Sequence, residues 1–146
     1  MPAFDEVAAL LTAPGVRRVI VTGNGAQWHT SLALWLAWLA VPRLPVDGYE
    51  TREGATTGRF ATVPGDLAVT VAGPVPDPLL DEAAGILADG GAQVVGIACD
   101  PGADARLAPI MALPGALALA IDLAQSAGLD PDAPAWSGAY DRTSRR

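Results

Sequence analysis

The chain has 146 residues, half of them hydrophobic and only 17% charged, a composition that fits one compact domain with its own core. Its formal net charge of −7 argues against a nucleic-acid partner, which selects a basic face. Apart from His29 every basic residue is an arginine, and the absence of lysine excludes a lysine Schiff base or lysine general base from this chain.

No apolar run approaches the roughly 18 residues that a membrane span requires. The opening "MPAFDEVAAL" carries acidic residues where a signal peptide needs basic ones, so a cytoplasmic protein is expected. The single cysteine, Cys99, rules out an internal disulfide and a cysteine-rich metal site; placed at the end of an apolar strand, it reads as an inert buried thiol.

Residues 3–13 predict a short amphipathic helix with Phe4, Val7 and Leu11 on one face, stopped by "APG" at 13–15. A strand follows at 16–22, then a turn at 23–27 that opens a long apolar helix. In that helix Trp28, Leu32, Trp35 and Leu39 form one stripe, while Leu34, Leu36 and Trp38 make the other faces apolar as well. A helix apolar all round is buried all round, in the core or against another subunit; in so small a domain a subunit interface is the expectation.

A second strand is read at 43–48. Residues 49–66 are polar and glycine-bearing and read as a long loop, of a length that is usually functional or mobile. "LAVTVA" at 67–72 predicts a strand buried on both faces. Asp77 caps the next helix, Pro78 is its first residue, and Asp81 and Glu82 favour its first turn. "GG" at 90–91 ends it, "AQVVGIAC" makes a fourth strand, and a last helix over about 108–127 leads into Gly128 and an extended tail. The alternation predicts a single α/β domain over 1–146, a three-layer sandwich around a parallel sheet of about five strands.

In such sheets ligands bind beyond the carboxyl ends of the strands, which is where Gly23, Asn24, Gly25, Ala26 and Gln27 fall. Their backbone amides, at a helix N-terminus, are expected to face a pocket and hold an anion. The dinucleotide fingerprint fails, because Trp28 stands where its third glycine belongs, and a Walker loop needs a lysine; no cofactor is expected. His29, the only histidine, is a capping or packing residue on the plain reading and an acid, base or ligand contact on the functional one. With no cysteine or acidic partner nearby it is not a metal site.

The ending "GLDPDAPAWSGAYDRT", with Gly128, Asp130, Asp132 and Pro134 in order, resembles the C-terminal signature of sugar isomerase (SIS) domains. The apolar helix "PGALALAIDLAQSA" before it is similar to the one that leads into the family's tail. The likeness covers nearly the whole chain and is greatest to the second SIS half of glucosamine-6-phosphate synthases. It implies a flavodoxin-like SIS fold, a sugar phosphate or related carbohydrate derivative as ligand, and a dimer or a hetero-oligomer with another SIS chain.

Three departures bear on chemistry. The family's hydroxyl-rich phosphate loop is here "AGPVPDP", without a hydroxyl, as in the synthase half. The synthase's tail lysine corresponds to a place at or near Ala139. Its loop with a glutamate and a histidine corresponds to "REGATTG" at 52–58, where Glu53 keeps the glutamate and Thr56 or Thr57 replaces the histidine. The synthase's own reaction is therefore not implied.

Aldose–ketose isomerisation needs a base to move a proton between adjacent carbons and a group to polarise the carbonyl. Glu53 is the candidate base, with Glu50 a weaker one, and His29 the candidate proton donor to a sugar oxygen. Arg52 is the candidate phosphate contact, with Arg43 and Arg59 beside it in sequence; Thr30, Thr56 and Thr57 complete the candidate ligand set. Asp130 and Asp132 read as turn-fixing residues, and Trp136 and Tyr140 as a cover over a sugar ring or a dimer seal. Two functions stay open: a small isomerase with a site shared between subunits, or a non-catalytic binding subunit that completes another SIS chain.

Overall fold

The computed structural model describes residues 2–39, 45–98, 108–126 and 128. Nine elements follow in chain order: α1 (Pro2–Thr12), β1 (Arg18–Gly23), α2 (Ala26–Leu39), β2 (Val46–Glu50), α3 (Thr51–Thr56), β3 (Asp66–Ala72), α4 (Pro78–Asp89), β4 (Gln93–Ala98) and α5 (Ala108–Ser126). All four described strands are parallel, in the order β2-β1-β3-β4. The doubly wound α/β sandwich is thus as expected, with four described strands rather than about five. No helix among the described residues is long and apolar enough to cross a membrane.

The sheet's two faces bury different side chains, as the pleat requires. Val19 and Val21 of β1 and Leu67, Val69 and Val71 of β3 face a core shared with Val7 of α1, Leu34 and Trp38 of α2 and Leu119 of α5. Ile20 and Ala68 point the other way, onto Phe60 and onto Ala83 and Leu87 of α4. Both faces are apolar, which is why β1 and β3 read as continuous hydrophobic runs.

The long apolar helix divides its surface between the sheet and another helix. Its most deeply buried described residues are Thr30, Ser31, Leu34 and Trp38, whereas Trp28, Leu32 and Trp35 are half-buried. The helix packs against the sheet and against α5, so part of the apolar surface for which a subunit was expected meets the same chain. Trp35 Nε1 donates to the Val46 carbonyl at 2.9 Å and ties α2 to β2. Trp38 Nε1 is buried and finds no acceptor among the described residues, a cost of about 1–3 kcal/mol. Burying the indole returns about 4–6 kcal/mol, so the packing wins.

The stretch 49–66 is not one long loop. Tyr49 and Glu50 extend β2, pairing in register with Thr22 and Gly23 of β1, and residues 51–56 form α3. The Glu50 carboxylate caps that helix by accepting from the Glu53 N–H at 3.1 Å. Gly54 sits directly on the Phe60 ring, where any larger residue would collide. A glutamate cap and an internal glycine are poor helix signals; the packing of Phe60 supplies what local propensity lacks.

α4 starts and ends as expected: Asp77 Oδ1 accepts from the Leu79 and Leu80 N–H groups at 3.1 and 3.3 Å, and Gly91 has a φ of 103°. In α5, Pro114 lies inside the helix, past its first turn, so the Ile110 carbonyl loses its helical partner there. Cys99, Arg43, Ala139 and the tail residues Asp130, Asp132, Pro134, Trp136 and Tyr140 lie outside the described residues.

Candidate functional site

The strand order places the crossover from β1 to α2 and that from β3 to α4 on opposite faces of neighbouring strands. Their loops diverge at the carboxyl edge and leave a crevice, the position where doubly wound sheets bind ligands. An open cleft of about 330 Å³ occupies it, lined by Ala26, Gln27 and residues 73–78. Trp28 is half-buried and not among its lining residues, so the crevice is not plugged.

The turn that forms one wall depends on two glycines. Gly25 has a φ of 55° at the tip, and Gly23 lies beneath α2, where a Cβ would come within 2.5 Å of Ser31 Oγ and 2.9 Å of the Gln27 carbonyl. The Gln27 and Trp28 N–H groups donate to the Asn24 and Gly25 carbonyls at 3.1 and 3.2 Å. The expectation that all amides of 23–27 face the ligand is therefore corrected: Gln27 spends its amide closing the turn and offers its side chain. That carboxamide lies against Gly73, close enough that a Cβ there would overlap Nε2.

The opposite wall carries Asp77. One carboxylate oxygen caps α4, and the other accepts from Asn24 Nδ2 at 2.9 Å, which staples the two loops together. Sequence reasoning read Asp77 only as a cap and noted residues 72–78 only as the place of the family's phosphate loop, without its hydroxyls. Their place after β3, next to the loop of β1 in a doubly wound order, was the available signal.

Most of the remaining candidates lie on or beside α3. Thr22 and Thr51 share a hydroxyl–hydroxyl hydrogen bond of 3.1 Å, which fixes the start of α3 beside the end of β1. Glu53 and Arg52 are exposed on α3, and Glu53 Oε1 lies 3.7 Å from Arg59 Nη1, both half-exposed. Arg59 also stacks 5.4 Å from the Tyr49 ring centroid. The Thr56 hydroxyl donates to the Arg52 carbonyl at 2.8 Å and that of Thr57 to the Glu53 carbonyl at 2.6 Å, so both finish the helix rather than offering a donor outward. His29 is exposed on α2, and Thr30 is buried; neither lines the cleft. The structure thus places the 23–27 turn at the cleft on the β3 side of β1 and Glu53, Arg52, Thr56 and Thr57 on the β2 side, with His29 and Thr30 on α2 away from the cleft lining. Among the described residues no group of three His, Cys, Asp or Glu is placed to hold a metal.

Charge pairing is strongest at the other end of the sheet. Arg18 and Asp66, first residues of β1 and β3, face each other in register and form an ion pair, with Asp47 3.6 Å from the guanidinium. Burial pushes the Asp66 carboxyl up, but hydrogen bonds from Arg18 and the Val63 N–H, with the charges of Arg18 and Arg17, outweigh it and hold its pKa below the ordinary value. The Asp66 hydrogen bond likewise raises Arg18 despite its burial. Lying far along the strands from the cleft, this pair is a brace for the sheet.

No protein-family model and no curated protein matches the chain. Solved structures do. A proposed sugar-phosphate isomerase from Listeria monocytogenes is similar over 90% of this chain and 80% of its own, at 10% identity and a TM-score of 0.69. An Escherichia coli CFT073 protein, solved in complex with arabinose-5-phosphate, is similar over 89% of this chain and 81% of its own, at 9% identity and a TM-score of 0.70. The sugar isomerase domain of an RpiR transcription factor from Sphaerobacter thermophilus covers 87% of this chain and 79% of its own, at 14% identity and 0.67. The chain therefore shares its parallel, doubly wound α/β fold with sugar-isomerase structures.

Proposed function

We propose that this chain is an SIS-type domain that binds a sugar phosphate or related carbohydrate derivative at the carboxyl edge of its sheet. The observation that carries this is the open cleft at the β1/β3 crossover, walled by the Gln27 carboxamide and the Asp77 carboxylate. The arabinose-5-phosphate complex of the E. coli neighbour supports a sugar phosphate as one member of the ligand class. Binding without chemistry, alone or as the partner of another SIS chain, is the leading form of this reading. Among the described residues of the two walls the one carboxylate, Asp77, is engaged through both oxygens in capping α4 and holding Asn24.

The isomerase form is supported by one observation: Glu53 is exposed one helical turn from Glu50, which pairs with Gly23 at the same sheet edge. Glu53 would move the proton between C1 and C2, and His29 would protonate a sugar oxygen. The test is a titration of the ¹⁵N-labelled chain with aldoses, ketoses and their phosphates, alongside solvent-deuterium exchange at C1 and C2. Shifts of the 24–27 and 73–77 amides are expected on binding. No shift with any member of the panel overturns the carbohydrate reading. Exchange lost in Glu53→Gln would establish the isomerase form, and binding without exchange the binding form.

A further inference from the structure

We infer that the Gln27 carboxamide hydrogen-bonds a hydroxyl of the bound sugar and that Gly73 is the positioning residue that lets it do so, an inference that rests on the carbohydrate reading above. Both residues line the cleft, one from each wall. They also touch. Gln27 Nε2 occupies the place a Cβ on Gly73 would take, and Gln27 Cδ lies 2.9 Å from that point.

The glycine at 73 answers a need for space and not for an unusual backbone. Unlike Gly25 in the opposite wall, Gly73 does not have a positive φ. Pro74 after it disfavours a helical main chain at 73 and leaves extended geometry, which any residue adopts. The main chain would therefore accept an alanine. The Gln27 carboxamide, lying across the glycine, would not.

Gln27 reaches that place from a fixed backbone. Its N–H donates to the Asn24 carbonyl at 3.1 Å, and its own carbonyl accepts from Ser31 Oγ at 3.1 Å. The same carbonyl sits 2.9 Å from where a Cβ on Gly23 would be. The facing loop is stiffened by Pro74, Pro76 and Pro78, whose rings fix φ, and is tied across by Asn24 on Asp77. With both main chains held, the Gln27 side chain is the adjustable part of the wall, and its rest on Gly73 sets how far it stands into the cleft. A carboxamide carries donors and an acceptor side by side, so it can give and take a hydrogen bond with one hydroxyl, whereas an ionised phosphoryl oxygen only accepts.

Titration of the ¹⁵N-labelled full chain with D-arabinose 5-phosphate, D-fructose 6-phosphate and inorganic phosphate tests this, in the native chain and in Gln27→Met, Gln27→Ala, Gly73→Ala and the double variant Gln27→Ala with Gly73→Ala. The amide spectrum of each free variant reports that it is folded. Gln27→Met keeps the length of the side chain and loses the carboxamide; it is expected to bind the sugar esters about tenfold more weakly and to leave the affinity for inorganic phosphate unchanged. Gly73→Ala is expected to weaken ester binding when Gln27 is present and to add nothing in the Gln27→Ala background, because the methyl group acts only by displacing the carboxamide. Full ester affinity in Gln27→Met, a loss shared by inorganic phosphate, or equal losses from Gly73→Ala in both backgrounds overturns the inference and leaves carbohydrate binding standing. A native chain that responds to neither ester overturns both.

Discussion

Asn24 donates from Nδ2 to Asp77 Oδ2 across 2.9 Å, joining the loop after β1 to the cap of α4 over a separation of 53 residues. The bond makes the cleft's two walls one unit: the residue that shapes the glycine turn also holds the carboxylate that begins the opposite helix. Asn24→Ala is expected to lose about 1 kcal/mol and Asp77→Ala about 1–2 kcal/mol, because the latter also loses two helix-capping bonds. Chemical denaturation of the two single variants and the double variant should show a favourable coupling of at least about 0.5 kcal/mol. Strict additivity would mean the bond contributes nothing in solution.

Glycine substitutions separate the wall of the cleft from the support of α3. In Gly73→Ala the new methyl group meets the flexible end of Gln27, so stability is expected to change by less than about 1 kcal/mol while sugar affinity falls. In Gly54→Ala it meets the buried Phe60 ring, and a loss of about 1–3 kcal/mol is expected. Thermal unfolding beside a ligand titration distinguishes the two; equal effects on stability would contradict the packing described.

Asp66 predicts an acid-sensitive sheet. Its folded-state pKa is lowered, so the stabilisation is fully present above the unfolded carboxylate value of about 3.9 and is lost as pH falls through the folded value. Stability measured from pH 6 downward should therefore drop below about pH 4 in the native chain, and more shallowly in Asp66→Asn. Identical slopes for both would remove Asp66 from the acid response.

The Glu53–Arg59 pair is half-exposed on both sides and is expected to add little to stability. Arg59→Ala should change unfolding free energy by less than about 1 kcal/mol, part of it from the lost stacking on Tyr49. If Glu53 is a base, the same change should lower the rate of deuterium exchange, because Arg59 Nη1 lies 3.7 Å from Glu53 Oε1 and helps to hold its side chain in place. A rate indifferent to Arg59 would disconnect the pair from chemistry.

Assembly remains a prediction on different grounds from those of the sequence. With part of α2 covered by α5, large apolar side chains stay exposed on α5 itself: Leu117 and Ile121, one turn apart and 54% and 44% exposed. Light scattering should show a dimer or larger species, shifted toward monomer by Leu117→Ser with Ile121→Ser. A monomer at micromolar concentration would count against it.

Elements whose signals are local were legible in the amino-acid order alone. Apolar β-branched runs marked β1, β3 and β4, Asp77 and Pro78 marked the start of α4, and the alternation of strands with helices required a parallel, two-sided sheet. Local signals could not supply α3, whose Glu50 cap and Gly54 oppose a helix until Phe60 packs beneath them, nor the two residues by which pairing with β1 lengthens β2. Likewise, a stripe of tryptophans cannot say which face of α2 meets the sheet when every face is apolar; the competing contacts of sheet and α5 settled that. The cleft belongs wholly to the folded chain, because its walls come from segments about 50 residues apart in sequence, and a hydrogen bond such as Asn24 to Asp77 exists only once the sheet has brought β1 and β3 side by side.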